Sequence, residues 1–166
     1  MPVNYAALKT ELQTDPASLG YSSFVAIRND VALASILIFV RDGSTVCPVN
    51  GVAGASITVR RSNVKPDEIL EAIDIRDFPV SPTGVNSIPL AQSWLESITQ
   101  FSTVRLANTD GTKTTVRKNI DRLVDNVQGS QTRLDTVAER RGSRSEQLFG
   151  ENVAVTSTDV AIALNN

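Results

Sequence analysis

Apolar residues recur at helical spacing along most of the chain. Between Val116 and Val127 they stand at i, i+4, i+7, i+8 and i+11, which is the pattern of a helix with one buried face. Stop signals such as Asp15-Pro16 and Gly129 keep the segments short. The pattern predicts short helices over residues 5–13, 22–28, 30–40, 66–73, 88–101, 114–128, 130–141, 144–149 and 159–164.

The middle of the chain changes to a period of two. Asn50-Gly51 separates two β-prone runs, and this dipeptide favours the tight turn of a hairpin because both residues accept positive φ. Ile57 and Val59 alternate with polar residues, which indicates a strand with one buried face. We therefore predict a β-hairpin at about residues 45–61. The pattern leaves two arrangements open, an arm projecting from a helical body and a hairpin folded onto the core.

Together these elements predict a mainly α fold class. It is a bundle of short helices with one β-hairpin at about 45–61 and candidate small strands at 103–106 and 153–155. The length of 166 residues fits one helical domain, 1–166, with the hairpin as its arm. Short helices are only marginally stable in isolation, because the free-energy cost of nucleating a helix exceeds what the hydrogen bonds of a few turns contribute. They need tertiary or subunit packing, which is consistent with a component of an assembly.

Composition argues against most catalytic and metal-binding classes. The chain has no histidine, so it lacks the usual general base, the Ser-His and Cys-His nucleophile pairs and the commonest metal ligand. Its one cysteine, Cys47, can form neither an internal disulfide nor a Cys-rich zinc site. The densest acidic stretch, residues 67–77, lies on and after a predicted helix N-terminus, where the helix dipole and solvation account for it. We expect no enzyme activity, no cofactor and no metal site.

Charge and hydropathy argue against nucleic-acid and membrane partners. The net charge is -2, and the mild excess of basic residues over residues 113–148 lacks the interleaved aromatic residues of a nucleic-acid surface. The most apolar run, residues 31–40, is far shorter than the roughly 20 residues of a membrane-spanning helix. The N-terminus has no basic segment followed by an apolar one, so we expect no signal peptide.

Candidate interface residues lie mainly in the predicted hairpin. An exposed hairpin edge offers unpaired backbone groups to which a neighbouring subunit can add strands. Pairs of arginines at the end of the hairpin and in the basic window suit an acidic partner surface. The candidates are Val46, Val49, Ile57, Val59, Arg60, Arg61, Arg140 and Arg141.

Two segments carry distinctive cap and turn motifs. Residues 12–37 contain the motif from Thr14 to Tyr21 and the run Asn29-Asp30-Val31-Ala32. Residues 129–164 contain the motif from Arg140 to Gly150, a Val-Ala-Val run and Thr158-Asp159-Val160-Ala161. In these two segments only, the chain resembles a group of small structural-module proteins that are encoded among the structural genes of tailed bacteriophages. Residues 44–112 carry no such resemblance.

The resemblance implies a structural component of a virion that assembles in the host cytoplasm. The component would be a neck, tail, baseplate or minor capsid protein, present in several copies and acting through protein–protein interfaces. Its expected partners are further copies of itself, in a homo-oligomer, and other virion proteins. The alternative is a cytosolic phage or bacterial interaction or regulatory protein that is not incorporated in particles.

Overall fold

A computed structural model of the chain describes residues 3–78, 93, 95–108, 112–124 and 127–166. Two short strands, β1 Thr58–Arg60 and β2 Glu139–Arg141, form an antiparallel sheet. All the other regular elements described are helical, so the predicted mainly α fold class is confirmed. The α-helices whose bounds are defined are α1 Tyr5–Thr14, α2 Ser22–Ala26, α3 Asp30–Ile38, α4 Pro66–Ala72, α5 Thr115–Leu123, α6 Ser130–Val137, α7 Arg144–Phe149 and α8 Ser157–Asn165.

Local capping explains why several helices begin where the sequence predicts. In each case a side-chain oxygen just before the helix accepts a hydrogen bond from a backbone N–H of the first turn, which contributes about 1 kcal/mol. At α7 the first-turn Glu146 also accepts from the backbone N–H of its cap, completing a capping box. The capping residues are Asn4, Asn29, Thr114, Ser143 and Thr156. The last of these corrects the predicted start of α8, because the helix begins at Ser157 and not at residue 159 after a cap at 157 or 158.

Some predicted bounds are wrong at their C-terminal ends. Helix α6 ends at Val137 rather than at residue 141, because residues 139–141 form β2. Helix α5 ends at Leu123, since Val124 has extended backbone. Residues 93 and 95–98 of the predicted helix 88–101 are helical, whereas 88–92 and 94 lie outside the described residues.

The two candidate small strands have different outcomes. Within 103–106, Val104 forms a single antiparallel bridge with Val64. Residues 153–155 do not form a strand, which corrects that expectation. The carbonyl oxygen of Val153 instead accepts a hydrogen bond from the Ser145 hydroxyl at 2.8 Å.

The predicted hairpin region forms a turn, but its second half pairs elsewhere. Val46 and Ala53 form an antiparallel bridge around the predicted turn, in which the backbone N–H of Gly51 donates to the carbonyl oxygen of Cys47 at 2.9 Å. Gly51 has a φ of +69° but Asn50 does not have a positive φ, so this is not the tight two-residue turn that the Asn-Gly signal predicts. Residues 58–60, however, form β1 and pair with β2 rather than with residues 45–49. The segment 45–61 is thus a short turn followed by a strand whose partner lies far along the chain.

The chain divides into two compact units, which is a finer division than the single domain predicted from its length. Unit 1 comprises Met1–Val59 and Arg141–Asn166, and unit 2 comprises Arg60–Arg140. The chain therefore leaves unit 1 within β1 and returns to it within β2. Within the part of the chain that is described, no helix is long and apolar enough to cross a bilayer.

Each unit has its own hydrophobic core. In unit 1, α3 packs against α2, α7 and α8, while α1 packs against α2 and α8. In unit 2, α4 packs against α6. The core of unit 1 includes Leu8, Leu12, Tyr21, Leu33, Leu37, Cys47 and Val160, and that of unit 2 includes Val64, Ile69, Leu106, Ile120 and Leu134.

Candidate interaction surfaces

The four apolar interface candidates separate into two groups. Val46 and Val49, beside the turn, are 52% and 38% exposed. Ile57 and Val59 are only 6% and 5% exposed, so their side chains belong to the interior of unit 1. Their assignment to an interface is corrected, because a side chain already buried in its own chain has no surface left to offer a neighbour.

The arginine candidates are engaged by groups of the same chain. Arg60 forms an ion pair with Glu139. Arg61 donates to both carboxylate oxygens of Glu68, at 2.8 and 2.9 Å, and to the carbonyl oxygen of Val137 at 3.2 Å. The hydrogen bonds from Arg61 and from the backbone N–H of Lys65 lower the pKa of Glu68 from 4.5 to about 2.

Arg140 and Arg141 lie in β2, where both have interactions of their own. All four arginines are therefore already held within the chain. A role in binding an acidic partner surface stays a prediction for them, and it would require exchange of existing partners.

A buried charge pair in the core of unit 1 was not predicted from the sequence. Arg144 donates from Nε and Nη2 to the two carboxylate oxygens of Glu11, each at 2.7 Å, and the Tyr21 hydroxyl donates to Glu11 at 3.3 Å. Burial, together with the charges of Glu11 and Asp15, raises the pKa of Tyr21 far above its usual value. The signal that could have revealed this pair is Glu11 itself, which interrupts the apolar face between Leu8 and Leu12.

A second buried cation of unit 1, Arg41, has few polar contacts. Its guanidinium carbon lies 5.5 Å from the centre of the Phe39 ring, and Nη1 donates to the carbonyl oxygen of Val52 at 3.3 Å. Nε and Nη2 have no hydrogen-bond partner among the described residues. Gly54 packs so closely against the Arg41 side chain that a Cβ at position 54 would lie 2.5 Å from Nη1. Because the side chain is fully enclosed, Arg41 presents no accessible ligand site.

A charged network surrounds the buried Arg117 of unit 2. Arg117 is almost fully buried and donates, at 2.7 Å each, to Asp121, to Asp135 and to the carbonyl oxygen of Gln131. A cavity of about 360 Å³ borders it. Lys113, which also lines this cavity, pairs with Asp121 at 2.6 Å, so these cations are compensated by neighbouring carboxylates. Such a satisfied network stabilises the fold rather than marking a ligand site.

Unit 2 also has an open apolar groove of about 800 Å³. Ile98, Val104 and Val116 line it, together with Phe101, whose ring is largely exposed. An aromatic side chain beside an open groove is the kind of feature that contributes most to protein–protein contacts.

The most extensive apolar exposure of unit 1 surrounds α3. This helix is apolar on nearly all sides: Leu33, Ile36 and Leu37 are fully buried, whereas Val31 and Ile38 are 66% and 44% exposed. A helix that is apolar all round is normally covered on every side. The large apolar side chains exposed in this part of the chain are Ile27, Val31, Ile38, Val40, Val46 and Val49.

The described residues contain no group of three or more acidic or cysteine side chains placed to hold a metal ion. No protein-family model, curated protein or solved structure matches the chain. The features that point to a function are those of the chain itself, namely the exposed apolar residues of unit 1 and the groove of unit 2.

Proposed function

We propose that the protein is a structural component of a tailed-phage virion, in the neck, tail, baseplate or minor capsid. It acts through protein–protein interfaces as a subunit present in several copies. The observation that carries this proposal is the group of large apolar side chains exposed between Ile27 and Val49. Exposed apolar side chains that lie together are typical of interaction surfaces, whereas single scattered ones are ordinary. Val31 and Ile38 are the two members of this group that one helix, α3, places in line.

Simple energetics support the use of this segment in assembly. Covering one Val or Ile side chain completely contributes at most about 1.5–3 kcal/mol. Association itself costs an estimated 4–15 kcal/mol in lost translational and rotational freedom, so one side chain cannot hold a complex together. Several exposed apolar side chains must therefore be covered together, and symmetry helps because it repeats each contact.

The resemblance of residues 12–37 and 129–164 to proteins of tailed-phage structural genes supports the virion as the setting. The alternative function, a cytosolic interaction or regulatory protein that never enters a particle, would use the same exposed apolar residues. Only the location of the protein after assembly separates the two functions.

The test is the protein content of purified particles. Particles are purified from a lysate of the phage that encodes the chain and analysed by quantitative mass spectrometry, with a replication protein from the same lysate as the control that must be depleted. We expect the chain to be retained at a constant ratio to the major structural proteins. Depletion of the chain together with the control protein would overturn the virion function and support the cytosolic alternative.

A further inference from the structure

We propose that the outer face of α3 is a self-association surface, on which two copies of the chain pack their α3 helices antiparallel about a twofold axis beside Ser35. This inference deepens the proposed function and rests on it for the expectation that the chain works in several copies. It names a second copy of this chain as the occupant of the exposed apolar face.

The spacing of three residues on the outer side of α3 suits a twofold contact, with Val31 and Ile38 exposed and Ser35 half-buried between them. Val31, Ser35 and Ile38 stand at i, i+4 and i+7, so they form one line along α3. In a contact between identical surfaces, residue i meets residue j and j meets i. An antiparallel pair centred beside Ser35 therefore brings Val31 of each copy against Ile38 of the other.

The residue at the centre of this line favours close approach of two helices. Ser35 is small, and larger apolar side chains lie on either side of it. Its hydroxyl donates to the carbonyl oxygen of Val31 at 2.9 Å, so the hydroxyl is satisfied within its own helix. Covering Ser35 with a second copy therefore leaves no unpaired donor at the axis.

The charges at the two ends of α3 favour the antiparallel orientation. Arg28 precedes the helix with a side chain that is 46% exposed, and its neighbours are the amide oxygen of Asn165 at 3.0 Å and the carboxylate of Asp30 at 3.9 Å. Asp42 follows the helix and is exposed. Antiparallel packing places the Arg28 end of each copy beside the Asp42 end of the other, whereas parallel packing would place like ends together.

The groups around Asp42 leave its charge available for such a contact. Asp42 accepts hydrogen bonds from the backbone N–H groups and hydroxyls of Ser44 and Thr45, all of which are neutral donors. These bonds hold the pKa of Asp42 well below its usual value. The carboxylate therefore stays ionised at neutral pH and has no cation among these four partners.

Two further exposed apolar side chains flank the helix in sequence. Ile27 lies just before α3 and Val40 just after it, and half or more of each side chain is exposed. In an antiparallel pair, the Ile27 end of one copy approaches the Val40 end of the other. At one end the Arg28 guanidinium has only a long contact of 3.9 Å with Asp30, and at the other end lies the Asp42 carboxylate. An antiparallel pair brings these two opposite charges towards each other, which makes the surface complementary to itself.

A cysteine at the proposed axis tests the geometry. In a twofold pair, Ser35→Cys places two thiols opposite each other within reach of a disulfide. We expect mild oxidation of the full-length variant to give a covalent dimer. Thr10→Cys is the matched control, because Thr10 is exposed on a helix and, like Ser35, bonded to the carbonyl oxygen four residues before it. The native Cys47 is buried and present in both variants. Equal dimer formation by the two variants would overturn the proposal.

A charge substitution tests the same surface without new covalent chemistry. By multi-angle light scattering we expect the wild-type chain to be dimeric and Val31→Lys to have the mass of a monomer. Val127→Lys is the control, since Val127 is an equally exposed valine of unit 2, and this variant should stay dimeric. A monomeric wild-type chain, or a dimeric Val31→Lys variant whose circular dichroism is unchanged, would overturn the proposal.

These results are distinguishable from the test of the proposed function. A chain that is retained in particles but forms no α3 dimer overturns the α3 contact and leaves the virion function standing. A chain that dimerises through α3 but is absent from particles supports the contact and overturns the virion function.

Discussion

Glu11 and Arg144 show how individual residues support unit 1. Both side chains are largely buried and form two parallel hydrogen bonds at 2.7 Å. A buried ion pair adds little compared with well-packed apolar side chains, because both charges must leave water. The loss of one partner alone is costly, since it leaves an uncompensated charge in the core.

Removal of Arg144 alone should therefore destabilise the protein strongly. We expect Arg144→Met to lower the free energy of unfolding by about 3–5 kcal/mol, measured by urea denaturation followed by circular dichroism. The double variant Glu11→Met/Arg144→Met should recover most of that loss. Arg76→Met, which removes a 70% exposed arginine paired with Asp74, is the control and should cost at most about 1 kcal/mol. A double variant that is less stable than Arg144→Met would contradict this account.

Gly142 illustrates a second residue-scale constraint, close packing against a stiff side chain. A Cβ at this position would lie 2.6 and 2.8 Å from the two methyl carbons of Val59, which is buried and β-branched. We expect Gly142→Ala to cost about 1–3 kcal/mol in the same denaturation measurement. Adding it to Val59→Ala should cost much less, because the shorter side chain makes room. Strictly additive losses would show that the two residues do not clash.

The sequence could reveal some of these residue-scale features and not others. Helix caps such as Ser143 depend on neighbours three residues away, so their motifs are local and were predicted correctly. The contact between Glu11 and Arg144 joins residues 133 positions apart, and no local pattern encodes that pairing. For the same reason, the alternation of Ile57 and Val59 indicated one buried face but not what covers it.

Among the secondary-structure elements, β1 and β2 pair according to tertiary packing and not according to the local sequence pattern. A turn forms at Asn50-Gly51, with positive φ at Gly51 alone, yet residues 58–60 pair with residues 139–141. The stretch Glu139–Arg141 continues the helical pattern of α6 in sequence, but it provides the hydrogen-bonding edge that β1 requires. Strand partners distant in sequence are set by packing, which explains why the helices could be predicted and the pairing could not.

The first turn of α4 is expected to respond to acid. Glu68 accepts hydrogen bonds from Arg61 and from the backbone N–H of Lys65, and these lower its pKa from 4.5 to about 2. Because the folded-state pKa is depressed, the stabilisation is complete above about pH 4.5 and disappears as the pH falls through about 2.

Two substitutions isolate the contribution of Glu68 from that of the other carboxylates. We expect Glu68→Gln and Arg61→Met each to show a smaller loss of melting temperature than the wild type between pH 5 and pH 2, as followed by circular dichroism. The difference between variant and wild type is the readout, since Asp42 and Asp74 also have lowered pKa values. If the melting temperatures of all three proteins fall in parallel with pH, the acid response does not come from the contacts of Glu68.

For the whole molecule, the two units can be compared with the segments for which a resemblance is predicted. Residues 12–37 and most of 129–164, whose resemblance to proteins of phage structural genes stays a prediction, lie in unit 1. Much of the central region without that resemblance lies in unit 2. Unit 1 also carries the exposed face of α3, and unit 2 carries the apolar groove beside Phe101. We infer that unit 1 supplies the contact between copies and that unit 2 supplies contacts particular to this protein.

The number of copies of the chain per assembled particle is the sharpest test of the proposed virion role. Counting copies of the chain per purified virion by mass spectrometry, against isotope-labelled peptides of this protein and of a major structural protein, gives the answer without any substitution. We predict several copies in every particle, in a ratio that further purification leaves unchanged. A ratio that falls towards zero with each purification step, while the chain remains abundant in the cleared lysate, would contradict a structural role in the virion.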